Sequence, residues 1–470
     1  MTISKPPFLL VIHHKLTVKN SYIKSMTRTK KPITKTYPTV TNMSQTIIKQ
    51  IDKPTKKRIS LLLILLLTIT IAYFDRVNVT VLIADETFQK DLGIMGDPAA
   101  AGLIMTLFLI AYGVGNVVLS GLGDYLGARK TMVIAMLGWF IAMVIGGLAP
   151  TLMVMLISRF LLGLGEGLHF PTMNVFCRPW FPNHEKAKAN AVWFIGTSLA
   201  PAFGLPVFVW LVANYSWHYT FILCAILGLI PMYFVWFHTA DTPREHPTIN
   251  QKEIDYIESG MPEPEQNDNT KKLTDTIKIS FNLVSKNYLY WIMVIYYSIH
   301  NIVWWTLMTW LPTYLKAERG FSWTEMGVLA SMPFILGIIC KLLAGWASDK
   351  IGKRAPFCII AMGGAAIMLY LSANEVNNWA AAIYILIAMG VITPGAPIMM
   401  TMLQEILPKN ALSFGTGLLN GISYAVAALG PVVIGFIMSN YGSFSAALSL
   451  IIGLAVVGFI CGIILTLRKF

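Results

Sequence analysis

Apolar runs of about 20 residues recur along the chain, and short polar segments separate them. A helix needs about 20 predominantly apolar residues to cross the hydrocarbon core of a bilayer, so runs of this length predict membrane-spanning helices. Twelve spans are predicted and numbered in chain order, at 59–83, 99–122, 130–149, 152–176, 188–213, 218–239, 287–314, 324–347, 355–373, 378–400, 414–438 and 443–467. The expected fold class is an all-α membrane protein with 12 transmembrane helices.

A polar stretch divides these spans into two sets of six. Residues 240–286 are charged, contain several prolines and have few aromatic residues, which is typical of a linker. Within it, the segment QKEIDYIES (251–259) predicts one short helix. The chain therefore divides into a basic tail at 1–58, an N-terminal half at 59–239, the linker at 240–286 and a C-terminal half at 287–470.

The composition excludes a soluble globular protein. Of the 470 residues, 55% are hydrophobic and 13% are charged, whereas soluble domains carry about 25% charged residues. The net charge of +13 does not indicate nucleic-acid binding, because residues 1–58 hold 13 Lys or Arg and a single acid. We interpret this tail as a disordered cytoplasmic anchor, which a start site at Met43 would shorten; a lipid- or partner-binding tail is the alternative. It lacks the pattern of a signal peptide.

The charges in the short loops predict the orientation of the chain in the membrane. Lys and Arg concentrate in cytoplasmic loops. The loop after span 1 holds four acids and one lysine, whereas the loops after spans 2, 4 and 8 are basic, with Arg129 and Lys130, with Arg178, Lys186 and Lys188, and with Lys350, Lys353 and Arg354. Both termini are therefore predicted to be cytoplasmic.

A short loop recurs at the same place in the two halves. After span 8, GWASDKIGKR (345–354) fits the pattern G-x-x-x-D-[RK]-x-G-[RK]-[RK] at every position. After span 2, GLGDYLGARK (121–130) repeats the Asp, the second Gly and the cations, and it departs from the pattern at Tyr125 and Ala128. An Asp and several cations at a tight Gly turn can hold two helix ends together in one state of a rocking cycle.

This repeated loop resembles the signature of the major facilitator superfamily. The resemblance implies the major facilitator fold, with two six-helix halves and both termini in the cytoplasm. It also implies that the two loops act in gating on the cytoplasmic face, through Asp124, Arg129, Asp349, Lys350 and Arg354.

Span 4 resembles one branch of that superfamily, the anion:cation symporters. Its helix has the form R-x-x-x-G-x-x-E-x-x-x-x-P, filled by Arg159, Gly163, Glu166 and Pro171, and WFPNHEKAKA (180–189) fits W-F-P-x-x-E-[RK]-x-x-A. Similar stretches, such as YFDRVNV in span 1 and WWTLMTWLPTYL in span 7, extend the resemblance over residues 58–467. Members of this branch include bacterial galactonate, glucarate and hexuronate transporters and animal sialic-acid and vesicular glutamate transporters.

Spans 1 and 4 carry charged side chains. An ionisable side chain at the centre of a spanning helix costs about 2.5–3.5 kcal/mol, so these residues are expected to face the interior of the bundle. Consecutive residues of a helix point about 100° apart, so Asp75 and Arg76 must face different neighbours. We expect Asp75 to face Arg159 of span 4 and Arg76 to face the central cavity. Glu166, two turns beyond Arg159, is then left without a cation of its own.

These residue types suit the transport of an anion with protons. The planar guanidinium of Arg76 can hold a carboxylate with two hydrogen bonds, and a carboxyl group in an apolar cavity can load and release a proton near neutral pH. We therefore assign proton coupling to Asp75 and Glu166 and anion binding to Arg76. Arg159 is assigned to an ion pair with Asp75, which is either purely structural or part of the coupling. His169, one turn after Glu166, either contacts the proton and substrate or is a satisfied histidine of the bundle.

The resemblance implies further substrate contacts. Tyr73 and Tyr112 resemble residues that line the cavity in relatives, and Trp305, Thr309 and Asn420 resemble substrate contacts of sugar-acid transporters. The amide of Asn420 also needs a partner, because it lies among apolar residues of a spanning helix.

Span 5 departs from the sugar-acid carriers. Those relatives commonly have a Gly-Gln pair in this span, whereas this chain has Gly196, Thr197 and Ser198. Span 10 is rich in Met and small residues. Both features suit an organic acid that is smaller or less polar than a polyhydroxylated sugar acid.

The expected function is import of an organic anion, a carboxylate such as a sugar acid, by proton symport through alternating access. A sodium-coupled carrier and an efflux transporter of the same superfamily are the alternatives. No His-rich or acidic cluster indicates an enzyme or a resident metal, the five cysteines lack paired spacing, and no added domain indicates a sensor. The expected partners are a small organic anion and the lipid bilayer, without nucleic acid and without a cofactor beyond a coupling proton or sodium ion. The protein is expected to act as a monomer in a bacterial inner membrane.

Overall fold

The computed structural model describes residues 54–119, 122–261, 281–407, 409–442 and 444–468. Residues from Thr55 to Phe470 belong to one compact unit. The predictions on residues 1–53 and 262–280 lie outside the described residues, and so does the side chain of Asp124.

The described residues form helices and no strand. The spans of the N-terminal half are Lys57–Leu82, Pro98–Val118, Ala128–Gly147, Leu152–Trp180, Asn183–Phe194 continued by Gly196–Asn214, and His218–His238. Those of the C-terminal half are Tyr288–Thr313, Trp323–Ile351, Ala355–Asn374, Asn378–Ile392 continued by Gly395–Ile406, Lys409–Ala427 continued by Leu429–Tyr441, and Phe444–Leu467. Short helices in the connections are Glu86–Asp91, Leu122–Leu126 and Gln251–Ser259. The all-α prediction is confirmed, as is the short helix of the linker.

Eleven of the described spans are long and apolar enough to cross a membrane when the pieces of spans 5, 10 and 11 are joined. Span 7 is 26 residues long, but its many Tyr and Trp residues, together with His300 and Asn301, lower its hydropathy. It packs against spans 1, 11 and 12 inside the bundle. The arrangement is consistent with the twelve predicted spans, and the least apolar of them lies where the halves meet.

The two halves repeat the same packing. In the N-terminal half, span 1 packs on spans 5 and 6, span 4 on spans 2 and 3, and span 3 on span 6. In the C-terminal half, span 7 packs on spans 11 and 12, span 10 on spans 8 and 9, and span 9 on span 12. Each of these contacts between spans of the N-terminal half recurs in the C-terminal half with both span numbers raised by six. The repeat seen in the loops therefore extends to the whole fold.

Local sequence signals set the ends and breaks of the spans. Span 8 begins with a capping box, in which the side chains of Ser322 and Glu325 each accept a hydrogen bond from the other's backbone N–H. It ends at Gly352, whose φ of 68° favours glycine. Span 10 is interrupted at Pro394, which has no N–H to donate to the helix.

The halves contact each other through spans 2 and 11 and through spans 5 and 8. We call the end that carries the repeated loops (121–130 and 345–354) the loop face, and the other end the opposite face. Toward the opposite face, Oγ1 of Thr106 in span 2 donates to the carbonyl oxygen of Ala428 in span 11 at 2.7 Å. Nearby, a Cβ on Gly102 would lie 2.8 Å from the carbonyl carbon of Pro431. Spans 5 and 8 form a second contact between the halves.

On the loop face, the first repeated loop makes its contacts within the N-terminal half. The backbone N–H of Arg129 donates to Oδ1 of Asp241, after span 6, at 2.7 Å. The guanidinium of Arg129 donates to the carbonyl oxygen of Trp236 and lies 4.8 Å from the centroid of its indole ring. This loop therefore ties the start of span 3 to the end of span 6.

The second repeated loop likewise makes its contacts within the C-terminal half. Arg354 pairs with Asp349 at 3.0 Å and with Glu405 at the end of span 10 at 2.5 Å, and the hydrogen bond to Glu405 raises the pKa of Arg354. Nζ of Lys350 lies 5.0 Å from the ring centroid of Trp346. In the described ranges no ion pair joins the loops of the two halves, and their gating role stays a prediction.

The linker helix Gln251–Ser259 docks on the start of span 1. Glu253 is fully buried and accepts hydrogen bonds from Oγ1 of Thr55 at 2.6 Å and from two backbone N–H groups at the start of span 1, at 2.9 and 3.1 Å. A carboxylate there satisfies free N–H groups and suits the helix dipole. Arg58 pairs with Glu253 at 3.3 Å and with Glu185 at 3.1 Å, so the linker joins the starts of spans 1 and 5.

Candidate functional site

Asp75 and Arg76 lie side by side in span 1 and face different parts of the bundle, as predicted. Both side chains are almost fully buried. Asp75 faces spans 4 and 6, where its neighbours are Arg159 and Cys224. Arg76 faces spans 2, 4 and 7. The 100° turn between successive helical residues therefore separates the acid from the base.

The guanidinium of Arg76 forms a buried ion pair with Glu166 of span 4. Nε of Arg76 donates to Oε2 of Glu166, and neither side chain is more than 2% exposed. Nη1 of Arg76 and Oε1 of Glu166 have no hydrogen-bond partner in the part of the chain that the structure describes. The prediction that Glu166 lacks a cation is wrong, because Arg76 reaches it from span 1 whereas Arg159 is two helical turns away, about 10 Å.

Aromatic rings from both halves surround Arg76. Its guanidinium carbon lies 4.4 Å from the ring centroids of Tyr73 and Tyr112, 5.5 Å from that of Phe108 and 5.8 Å from that of Trp305. These distances are within the range of cation–π attraction. Trp305 belongs to the C-terminal half, so the guanidinium lies between the halves. The structure brings the predicted Tyr73, Tyr112 and Trp305 together around Arg76; Phe108 was missed.

Span 11 adds Tyr424, which the sequence analysis also missed. Its ring centroid lies 4.9 Å from that of Tyr112 and 6.3 Å from that of Trp305. Asn420, predicted as a substrate contact, is half-buried and lies one turn before Tyr424 on the same face of span 11. The hydroxyl of Thr309 donates to the carbonyl oxygen of Trp305 within span 7 at 2.7 Å, so this hydrogen bond does not join Thr309 to the rings of the cluster.

Arg159 reaches Asp75 through the backbone rather than through the carboxyl group. Nη1 of Arg159 donates to the carbonyl oxygen of Asp75 at 3.1 Å, and its guanidinium carbon lies 5.0 Å from the ring centroid of Phe221 in span 6. The thiol of Cys224 is the hydrogen-bond neighbour of the Asp75 carboxyl group. The predicted direct ion pair is therefore corrected: Arg159 approaches span 1 at its backbone, so the two charges are near each other without a bond between them in the described residues.

His169 lies inside the N-terminal half, where its ring contacts spans 1 and 3. Its Nε2 is 3.2 Å from Oγ1 of Thr68, and its ring packs edge-on against Trp139 with the centroids 4.8 Å apart. These contacts agree with the alternative in which His169 is a buried histidine that makes its hydrogen bond and its packing contacts within the bundle. A substrate contact by His169 stays a prediction.

A cation in span 8 also escaped the sequence analysis. Lys341 lies well inside Trp323–Ile351, and its Nζ donates to Oγ of Ser198 in span 5 at 3.2 Å. The segment IICKLLA (338–344) carries the signal that was missed, because a lysine among apolar residues of a spanning helix has an insertion cost like that of the charges in spans 1 and 4.

The arrangement can bind an anion and a proton at one place. A guanidinium with a free N–H group is a donor for a carboxylate, and the glutamate that bonds it is a base that can take up a proton. In the part of the chain that the structure describes, no group of three or more His, Cys, Asp or Glu could hold a metal ion. The chemistry that these residues offer is thus recognition and proton exchange.

Comparisons with known proteins place this chain in a family of transporters. The sequence matches the family model described as Major Facilitator Superfamily over residues 65–392 and 315–469. It is 28% identical over 425 residues to a D-galactonate transporter of Escherichia coli O6:H1, which covers 88% of this chain and 96% of the relative. It is also 28% identical over 410 residues to a probable galactarate/D-glucarate transporter of Bacillus subtilis, covering 84% of this chain and 89% of the relative.

A solved structure shows the same fold. The bacterial homologue of the human lysosomal transporter Spinster, in an inward-facing and unoccupied conformation, aligns with a TM-score of 0.67 at 15% identity, covering 88% of this chain and 96% of that one. These comparisons confirm the resemblance drawn from the repeated loop and span 4. They also confirm that the chain is similar to transporters and not to enzymes.

Proposed function

The chain belongs to the Major Facilitator Superfamily, and we propose that it is a secondary transporter that imports an organic acid anion together with protons. It is an integral, multi-pass membrane protein, and relatives are transporters named for sugar acids. One observation carries the proposal. Arg76, the side chain best suited to a substrate carboxylate, is already bonded to the carboxylate of Glu166.

Glu166 and a substrate carboxylate compete for the same guanidinium. A hydrogen bond between charged groups contributes about 1.5–3 kcal/mol. While Glu166 is ionised it occupies Arg76, and once Glu166 takes up a proton the guanidinium is free to turn its donors to the substrate. Proton binding at Glu166 and anion binding at Arg76 therefore favour each other, and this reciprocal coupling is what symport requires.

The aromatic cluster links anion binding to the motion of the halves. Tyr73 and Tyr112 belong to the N-terminal half, and Trp305 and Tyr424 belong to the C-terminal half. A ligand at Arg76 contacts both halves, so it can favour the states in which these rings close around it. The rings offer apolar faces to the carbon chain, and the tyrosine hydroxyl groups offer hydrogen bonds.

Asp75 is our second proton site. Its carboxyl group is buried with Oδ1 unpartnered among the described residues, and Arg159 holds the backbone of the same residue. The charge on Asp75 influences how strongly Arg159 is held between spans 1, 4 and 6. Protonation at Asp75 can therefore change the packing within the N-terminal half while Glu166 controls the anion site.

The contacts between halves support an inward-facing state. Spans 2 and 11 are in contact toward the opposite face, at Thr106 and Ala428 and at Gly102 and Pro431, and Lys341 joins spans 8 and 5 deeper in the bundle. Each loop on the loop face, by contrast, bonds only within its own half among the described residues. The loop face is the cytoplasmic one in the orientation predicted from the positive charges. In the cycle we propose, protons and anion load from outside and leave through the loop face.

Uptake into proteoliposomes tests this function. We expect a pH gradient, alkaline inside, to drive accumulation of radiolabelled D-galactonate or galactarate, and a protonophore to abolish it. Glu166→Gln should lose this accumulation but retain counterflow exchange, because the amide cannot release a proton and leaves Arg76 available to the anion. The matched control is Glu86→Gln, an exposed glutamate on the opposite face, which should accumulate substrate as the wild type does.

Three results would overturn proton symport. Accumulation driven by a sodium gradient in the presence of the protonophore would favour the sodium-coupled alternative. Net extrusion from loaded vesicles under the same pH gradient would favour an efflux transporter. Accumulation against a gradient by Glu166→Gln would remove Glu166 from the coupling mechanism.

A further inference from the structure

The charged side chains inside the bundle do not balance. Away from the ends of the spans, the described helices carry three cations, Arg76, Arg159 and Lys341, and two carboxylates, Asp75 and Glu166. Arg76 is paired with Glu166, and Arg159 lies beside Asp75. In the same described helices, Lys341 has no carboxylate within ion-pair distance.

Lys341 is too deep in span 8 to place its charge at the loop face. It lies ten residues before Ile351, where span 8 ends, and this places its Cα about 15 Å from that end. Its side chain instead crosses to the other half and donates to Ser198, which is 5% exposed. A charged residue inside a membrane span without a counter-charge is unfavourable and is by default a candidate functional site.

The neighbours of Lys341 connect it to the Arg76 site. His300 of span 7 is close enough to Lys341 for an electrostatic interaction. Nε2 of His300 bonds the carbonyl oxygen of Ile392 at 3.1 Å, and its buried Nδ1 has no partner in the described part of the chain. His300 and Trp305, which borders Arg76, are five residues apart on span 7, about 7.5 Å along its axis. Lys341 contacts Ser198 of the N-terminal half and Arg76 lies against Trp305 of the C-terminal half, so both cations lie where the two halves meet.

We propose that Lys341 and Ser198 form a second anion subsite, and that the transported molecule carries an acidic group at each end. This inference rests on the proposed function and names its substrate class: one acidic group binds Arg76 and the other binds Lys341. An ammonium and a hydroxyl group both donate hydrogen bonds to a carboxylate. A linear six-carbon diacid has carboxyl carbons about 6 Å apart, from C–C bonds of about 1.5 Å, so its two ends can contact different side chains where the halves meet.

Two acids with the same number of carbons test the subsite. D-Galactonate has one carboxyl group and galactarate has two, and the Kd of each is measured by calorimetry on the purified full chain. We expect the wild type to prefer galactarate. Lys341→Gln should weaken galactarate binding by roughly tenfold or more, the loss of one hydrogen bond between charged groups, and should change galactonate binding by less than about threefold.

Two further variants complete the comparison. Lys341→Arg should keep most of the preference for galactarate, because it keeps the charge. Lys90→Gln, an exposed lysine on the opposite face, should change neither Kd. If Lys341→Gln does not fold, Ser198→Ala is tested in its place. It should raise the Kd of galactarate about threefold more than it raises the Kd of galactonate.

The outcomes separate this inference from the proposed function. The second subsite would be ruled out if Lys341→Gln raised the Kd of both acids equally, or if the wild type bound galactonate as tightly as galactarate. The proposed function would still stand if galactonate binding depended on Glu166. Failure of both acids to bind the wild type would overturn this inference, whereas the proposed function would be overturned if a pH gradient drove the accumulation of no organic acid anion.

Discussion

Replacing Arg76 with lysine keeps the positive charge and removes the fork of parallel donors. Nε of Arg76 bonds Glu166 and Nη1 has no partner among the described residues, while the guanidinium carbon lies 4.4 Å from the rings of Tyr73 and Tyr112. A lysine ammonium can bond either Glu166 or a substrate carboxylate, but it cannot hold a carboxylate with two parallel N–H groups. Arg76→Lys therefore measures how much the two parallel N–H donors of the guanidinium contribute to anion binding.

The expected loss follows from these contacts. Removal of one hydrogen bond between charged groups costs about 1.5–3 kcal/mol, and weaker cation–π contacts with the tyrosine rings cost about 0.5–1 kcal/mol. A total of about 2–4 kcal/mol corresponds to a Kd raised by roughly 30- to 700-fold, because about 1.4 kcal/mol is a factor of ten.

Calorimetric titration of purified protein with the preferred acid gives this Kd directly. Arg244→Lys is the matched control: Arg244 makes the same kind of fork with Glu258, at 2.6 and 2.8 Å, on an exposed part of the linker, and its replacement should leave the Kd unchanged. A Kd for Arg76→Lys within about threefold of the wild type would refute the assignment of Arg76 as the anion site.

Three further predictions concern packing around the site and the linker. Glu253→Gln should lower the free energy of unfolding by about 1.5–3 kcal/mol, because a neutral amide replaces the carboxylate that accepts hydrogen bonds from Thr55 and from the first N–H groups of span 1. An unchanged midpoint of thermal unfolding would contradict this. Gly102→Val should weaken the closed contact with Pro431, so spin labels placed across the opposite face should move apart, and unchanged distances would remove this glycine from the contact. Tyr424→Ala should raise the Kd of the acid by roughly three- to tenfold, whereas equal Kd values would place Tyr424 outside the site.

Most of the fold could be predicted because its signals are local. Apolar runs of the right length predict spans, and Gly and Pro mark their ends, as at Gly352 and Pro394. The repeated loop predicted two equivalent halves, and the matching pairs of packed spans show the same repeat in three dimensions. Span 7 gave the weakest apolar signal because most of its aromatic and polar residues are buried inside the bundle rather than exposed to lipid.

The partners within the site could be predicted only in part. Helical geometry alone predicted that Asp75 and Arg76 face different neighbours. It could not predict that Arg76, rather than Arg159, bonds Glu166, because the relative height and rotation of spans 1 and 4 depend on their packing. The same limitation explains why the ion pair expected between Asp75 and Arg159 is replaced by a bond to the backbone.

Residues from the second half were the hardest to find. Tyr424 lies in the segment GLLNGISYAVAALGP, one turn after Asn420, and a tyrosine in a spanning helix has the same pattern whether it lines a site or only packs in the bundle. Lys341 carried a clear signal, a lone charge in an apolar span, but its partner Ser198 lies 143 positions away in the other half. A pairing of that kind depends on how the halves meet, which no local pattern describes.

The central claim is that Glu166 and the substrate compete for Arg76. Its most direct test is the Kd of the preferred acid, measured from mildly acidic to mildly alkaline pH on the wild type and on Glu166→Gln. We expect the wild type to bind more weakly as the pH rises, because ionised Glu166 retains Arg76, and the Gln variant to lose most of this dependence. An unchanged pH dependence in Glu166→Gln would contradict the claim.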